Sequence, residues 1–254
     1  GVALARGLVG SGKFTQDDLI LTRRHVAKIE ELKKEGFNIS TDNVKASQQA
    51  AIIVLCVQPK QLADVIAEIR NQLIEGKHTL VSTITGVPTS EIQKLVGKDV
   101  AIVRAMPNTA IAIGKSMTCI CSSNASQETL GQIEGLFKPL GETLIIEERL
   151  MKAATVLAAS GIAFFMRYMR AATQGGIQLG FDAEEAQLIA GQTALGAASL
   201  LLQNDSHPEV EIDKVTTPEG CTIAGLNEME HQGLSSALIK GILCSYEKIN
   251  NIRN

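Results

Sequence analysis

The sequence predicts an α/β protein in two parts: an N-terminal Rossmann-type domain with a parallel sheet wrapped by helices, then an all-α domain. Three observations predict it. Short β-branched runs alternate with amphipathic segments as far as Glu147, the habit of βαβ units. One of those runs, Ala50-Ala-Ile-Ile-Val-Leu-Cys-Val57, is apolar throughout, as suits a strand covered on both faces. Beyond Glu147 strand signals stop and small residues recur at helical spacing, as in Ala190-Gly-Gln-Thr-Ala-Leu-Gly-Ala-Ala198. The expected domains are therefore residues 1–147 and 148–254.

In chain order, Gly1 to Val9 reads as a helix closed by Gly10-Ser-Gly12, and Asp18 to Thr22 as a strand. His25 to Glu35 is a charged helix stopped by Gly36, Phe37 to Ser40 a short strand, and Val44 to Gln49 a helical turn. Ala50 to Val57 is expected near the sheet centre. Leu62 to Leu73 carries apolar residues at 62, 65, 66, 69 and 73, the stripe of a helix lying on a sheet. Strands follow at His78 to Ile84, Val100 to Ala105 and Ser116 to Cys121, with helices at Ser90 to Val96 and Ser126 to Phe137. The later helices are rich in Gly and Ala and carry little side-chain bulk, so this half is expected to complete its core against a second copy.

Composition narrows the partners. The 24 Lys and Arg against 27 Asp and Glu leave a net charge of −3, and no basic run exceeds a pair. That balance argues against nucleic acid and against an anionic membrane surface. The longest uncharged stretch, Ala153 to Met166, falls short of the ~20 residues needed to span a bilayer and is expected to be a buried helix. Five cysteines with no C-x-x-C and no His at ligand spacing suit a reducing cytoplasm and no metal.

Ligands of βαβ folds sit at the carboxyl ends of the strands. Those ends read Thr22-Arg-Arg24, Cys56-Val-Gln-Pro59, Thr83-Ile-Thr-Gly-Val87 and Arg104-Ala-Met-Pro-Asn-Thr109, all polar or turn-forming. Cys56, Val57, Gln58, Pro59, Thr85, Gly86, Met106 and Asn108 are the cofactor-lining candidates among them. Gly1 is the candidate last glycine of a phosphate-binding turn. A strand end meant for NAD carries an acid for the ribose 2′-hydroxyl; Thr22, Arg23 and Arg24 offer hydroxyl and cationic donors instead, which favours NADP.

Asp42-Asn43, Ile53-Val-Leu-Cys-Val-Gln-Pro59, Met106-Pro-Asn-Thr109, Glu147, Ala159-Ser-Gly-Ile-Ala-Phe164 and Val215-Thr-Thr-Pro-Glu-Gly-Cys-Thr222, in this order, resemble the pyrroline-5-carboxylate reductases, the last enzymes of proline synthesis. The resemblance covers essentially the whole chain. It implies a strand and a G-x-G-N-M turn ending at Gly1, NADP(H) as cofactor with NAD(H) the alternative, and Asn43 at the cofactor site. It also implies reduction of 1-pyrroline-5-carboxylate to L-proline, a homodimer and possible larger rings of dimers, and a cytoplasmic enzyme. Thr222 is the matching hydroxyl for the ring nitrogen, with Thr216, Thr217, Gly220 and Cys221 lining the substrate pocket. Gln58, Ala110, Ile162, Phe164 and Glu219 depart from the family pattern. Two other readings stay open: a β-hydroxyacid dehydrogenase with Lys152 as acid/base, and an oligomeric nucleotide-binding protein without catalysis.

Overall fold

The computed structural model describes residues 1–25, 27 and 30–249, and its first unit, Gly1–Ser160 joined by the chain from Ser245 onward, holds every strand among the described residues. Strands β1 (Ile20–Thr22) and β2 (Asn38–Ser40) form a parallel pair. A separate five-stranded sheet follows in sequence order: β3 (Ile52–Leu55), β4 (Thr79–Ser82), β5 (Ala101–Met106), β6 (Ser116–Ser122) and β7 (Gly141–Ile145).

The period-2 alternation of the strands divides the core between two faces. Leu80 and Ile102 point to one face, where α4 (Leu62–Ile69) contributes Leu62, Ile66 and Ile69 and α5 (Thr89–Val96) contributes Ile92 and Val96. Val81, Val103, Ala105 and Ile120 point to the other, against Leu4 and Leu8 of α1 (Val2–Gly10) and Leu130, Ile133 and Phe137 of α6 (Gln127–Phe137). Local chemistry fixes the helix ends. The Asp42 side chain accepts from Lys45 N at 2.9 Å to start the helix Asn43–Gln49, and Ser126 accepts from Thr129 N at 3.1 Å to start α6. Gly97, at φ 68°, closes α5 in the left-handed conformation.

Helix α1 lies so close to the turn Thr109–Ile113 that a Cβ on Gly7 would run into the Ile111 carbonyl oxygen. Gly7→Ala is expected to cost roughly 1–3 kcal/mol, the usual penalty of overpacking, read as a lower midpoint in urea unfolding.

Several expectations change. Among the described residues the apolar run at 50–57 forms β3 at an edge of the five-stranded sheet, not its centre; helix cover on both faces makes a strand apolar whether or not both its edges are paired. The strand expected from Asp18 begins at Ile20: Asp18 accepts from Thr15 N at 2.8 Å and Thr15 Oγ1 at 2.9 Å, which winds residues 16–18 into a 3₁₀ turn. The sheet is not wholly parallel. β6 runs antiparallel to β5, since the residues 107–115 between them are too few for a crossover. Of the helix expected from His25 to Glu35, the described part is Glu30–Lys34; Val26, Lys28 and Ile29 lie outside the described residues.

The second unit, Gly161–Cys244, is entirely helical, with helices Gly161–Gln178, Ala183–Asn204, Pro208–Val215, Cys221–His231 and Leu234–Ile249, the last running on into the first unit. Small residues permit close packing where Gly176 meets Ala186, at a point where an added Cβ would lie 3.0 Å from that of Ala186. The change from strand to helix falls at Glu147, as the sequence suggests, whereas the units divide after Ser160. The segment expected to be a short buried helix is part of a continuous helical run, Glu148–Gln178, of 31 residues. By length and composition that run could cross a membrane, yet Leu157, Phe165 and Met166 are more than half exposed. A helix of this kind buries one stripe and leaves its other apolar residues for another surface.

Candidate active site

A crevice of about 250 Å³ opens at the carboxyl ends of the strands, lined by Gly1, Ala3, Leu4, Cys56, Thr83, Pro107, Asn108, Thr109, Ile111 and Ala159. Cys56 follows directly on β3 and Thr83 on β4, where the Thr83 hydroxyl donates to the Leu55 carbonyl at 3.1 Å and ties the two strand ends together. Asn108, after β5, is held from three sides. Its backbone N–H donates to Ser116 Oγ at 3.0 Å, its Oδ1 accepts from Ala110 N at 3.0 Å, and its Nδ2 donates to the Ala158 carbonyl at 3.2 Å. Ala158 belongs to a π-helical turn, Thr155–Ser160, within the long helical run, a backbone irregularity common at functional sites.

The residues present fit a dinucleotide. Gly1 caps helix α1 with no side-chain cap and no acid in the first turn, and Gly1, Ala3 and Leu4 line the crevice, so the opening amides of α1 lie at a crevice wall where a helix start can accommodate an anion. Gly1 comes so close to β3 that an added Cβ would sit 3.3 Å from that of Cys56. Thr22, Arg23 and Arg24 close β1 and are exposed, with the Arg23 N–H pinned to the Ser40 carbonyl at 3.1 Å, and the three-residue stretch itself carries no carboxylate.

The crevice brings Gly1, Cys56 and Asn108 together from the sequence-based set. Val57, Gln58 and Pro59 form the next turn, in which the Gln58 N–H donates to Gln61 Oε1 at 3.1 Å. Thr85 and Gly86 lie on the turn after β4, Gly86 at φ 76°. Asn43 donates to Glu68 Oε2 at 2.6 Å, which ties its helix to α4. Met106 is buried among Cys119, Cys121 and Met151 and shapes the strand rather than the crevice wall. Burial pushes the Cys121 thiol up to about 11, so the C-x-C pair is core, not redox chemistry. Among the described residues no group of His, Cys, Asp or Glu could hold a metal ion.

In the second unit, Thr216 ends the helix Pro208–Val215, donating its hydroxyl to the Asp213 carbonyl at 3.1 Å. The Gly220 N–H then donates to the Thr217 carbonyl at 3.0 Å, and Gly220 serves as N-cap of the helix Cys221–His231 without a side-chain cap. Thr217, Gly220, Cys221 and Thr222 thus share one turn and one helix start. A side chain on Gly220 would strike Thr217, with an added Cβ only 2.5 Å from Thr217 Oγ1.

Sequence reasoning missed a polar cluster on the α5 face of the sheet. Glu148 accepts from Thr89 N at 2.7 Å and Thr89 Oγ1 at 2.6 Å, pairs with Arg104 Nη1 at 3.3 Å, and Thr89 Oγ1 lies 2.7 Å from Ser123 Oγ. Burial alone would raise the Glu148 carboxyl, but the bonds from Thr89 and Arg104 outweigh it and hold it below its ordinary value. The available signal was Arg104 itself, a cation inside an otherwise apolar strand, which requires a buried partner.

Fold and crevice define an oxidoreductase of the dinucleotide-binding class with an appended helical unit. Residues 1–86 match the family described as NADP oxidoreductase, coenzyme F420-dependent, and residues 148–252 match pyrroline-5-carboxylate reductase dimerisation. The chain belongs to the pyrroline-5-carboxylate reductase family. Pyrroline-5-carboxylate reductase 2 of Dictyostelium discoideum is 46% identical over 98% of this chain and 88% of its own length. Pyrroline-5-carboxylate reductase 1 of the same organism is 47% identical over 98% of the chain, which spans only 47% of that protein. A pyrroline-5-carboxylate reductase structure from Coxiella burnetii superposes with a TM-score of 0.88 at 27% identity, covering 98% of this chain and 95% of its own. The pyrroline carboxylate reductase of Plasmodium falciparum, solved with NADP bound, shares the fold at a TM-score of 0.90 and 22% identity, covering 100% and 94%.

Proposed function

We propose that the chain reduces 1-pyrroline-5-carboxylate to L-proline with NADPH. The observation that supports this most is likeness to whole reductases along 98% of the chain, joined to a crevice whose residues suit a dinucleotide. When bound, the nicotinamide supplies the hydride that adds to the imine carbon, while a proton goes to the nitrogen. The chain's own contribution is positioning. The amides opening α1 bind the pyrophosphate, and Arg23, Arg24 and Thr22 bind the 2′-phosphate. Asn108, with both its side-chain oxygen and nitrogen bonded, would shape a wall of the crevice against the bound cofactor. Thr222 donates a hydrogen bond at the ring nitrogen, and the amides of Gly220, Cys221 and Thr222 hold the substrate carboxylate. Thr216 and Thr217 line the same pocket. The test is cofactor oxidation in the presence of 1-pyrroline-5-carboxylate, with proline identified as product; cofactor binding without turnover would favour the non-catalytic reading. Lys152, the acid/base of the dehydrogenase reading, lies 3.6 Å from the centroid of the Tyr246 ring, an engagement that suits packing.

The helical part supports self-association, which its dimerisation-family match describes. Leu188, Leu195 and Leu202 are exposed by 72%, 58% and 83%, and Gly191 and Gly196 have open space where a side chain would be. A second copy fits such a surface, and in our reading it covers the apolar helical run in place of lipid. Rings of dimers, a reducing cytoplasm, and the lack of nucleic-acid or membrane partners belong to the same reading. Sedimentation at sub-micromolar concentration should show a dimer or a multiple of it, as expected of an obligate interface of upwards of ~2,000 Å²; an active monomer would refute the shared core.

A further inference from the structure

Arg104 is 6% exposed, its Nε has no hydrogen-bond partner among the described residues, and among those residues its ion pair is with Glu148. Such a pair is a poor source of net stability, because desolvating two ions offsets most of their attraction. Its connections are more telling. Glu148 opens the helical run that carries the π turn and Ala158. Thr89 opens α5, directly after the turn 83–88 that supplies Thr83 to the crevice. Arg104 lies two residues before the end of β5, whose continuation is Pro107-Asn108. One carboxylate therefore fastens the roots of three segments that supply Thr83, Asn108 and Ala159 to the crevice.

We infer that Glu148 is a positioning residue for hydride transfer: through Thr89 and Arg104 it sets the placement of Thr83, Asn108 and the π turn against the bound cofactor. The inference rests on the reductase reading for its substrate, but not for its cofactor. Glu148→Gln keeps the size and one acceptor oxygen while leaving Arg104 uncompensated. It is expected to lower kcat at saturating substrate by roughly tenfold to a hundredfold, the cost of a small misplacement at a reacting centre, and to weaken NADPH binding severalfold.

The deciding comparison is the double variant E148Q/R104Q, which removes the stranded charge. Thermal stability should return towards that of the parent while kcat and cofactor affinity stay low, since the neutral pair no longer ties the segments together. If rates recover along with stability, or if E148Q alone stays within twofold of the parent, Glu148 is merely structural and the inference fails. Should E148Q not fold, Thr89→Ala, which keeps the backbone bond to Glu148 and loses the hydroxyl, must show the same split between rate and stability. A parent enzyme that binds NADPH but leaves 1-pyrroline-5-carboxylate unreduced would overturn the functional reading instead, and the comparison of cofactor affinities would still decide the role of Glu148.

Discussion

Thr222→Ala is expected to lower kcat/KM for 1-pyrroline-5-carboxylate by a factor of roughly thirty to several hundred, on the order of 2–4 kcal/mol, comparable with losing one donor to a developing charge. The side chain lies at the second residue of the helix Cys221–His231 and is only half-buried. Removing its hydroxyl empties no core, so the melting temperature should hardly move. The loss belongs to the reaction because the hydrogen bond matters most as the imine nitrogen changes its charge. Thr222→Ser, which keeps the hydroxyl, should restore most of the rate. Steady-state kinetics beside thermal unfolding of the same preparations makes the check, and an unchanged kcat/KM in a folded variant would remove Thr222 from the site.

The second large effect is on cofactor choice. Arg23 and Arg24, both exposed, follow β1 in a stretch, Thr22-Arg-Arg24, that carries no acid in its sequence. Charge-assisted hydrogen bonds to a 2′-phosphate contribute roughly 1.5–3 kcal/mol each, and NADH offers no phosphate for them to meet. The double variant R23A/R24A should therefore reduce the ratio of kcat/KM for NADPH over NADH by at least about tenfold, with the NADH value nearly unchanged. Raising the salt concentration should erode the NADPH preference of the parent and leave that of the double variant flat. If neither substitution changes the ratio, the 2′-phosphate is read elsewhere.

What the sequence made legible was local. The eight-residue apolar run, the helical stripe from Leu62 and the Ser126 cap each express a pattern within a few residues, and β3, α4 and α6 follow them. Strand ends were legible for the same reason, and Gly1, Cys56 and Asn108 line one crevice. What escaped depends on residues far apart in the chain. Glu148 reaches Thr89 across 59 positions and Arg104 across 44, so no pattern in the residues around it announces these partners. The antiparallel turn of β6 and the edge position of β3 are also matters of pairing, on which the hydrophobicity of a single strand is silent. The Asn108 side chain illustrates both cases: its place after β5 is written in Met106-Pro-Asn-Thr109, but its bond to Ala158 requires the π turn.

The edge of β3 has a practical consequence for handling the polypeptide. Among the described residues, Ile52–Leu55 pair on one side only, with β4, and the outward row of backbone amides and carbonyls lies on a strand of high β-propensity. Open rows of this kind recruit strands from other molecules and seed precipitation. An added strand, from the same polypeptide or another, would meet four residues of ready hydrogen-bonding backbone there, and a fusion partner should be judged first by whether it leaves that row covered.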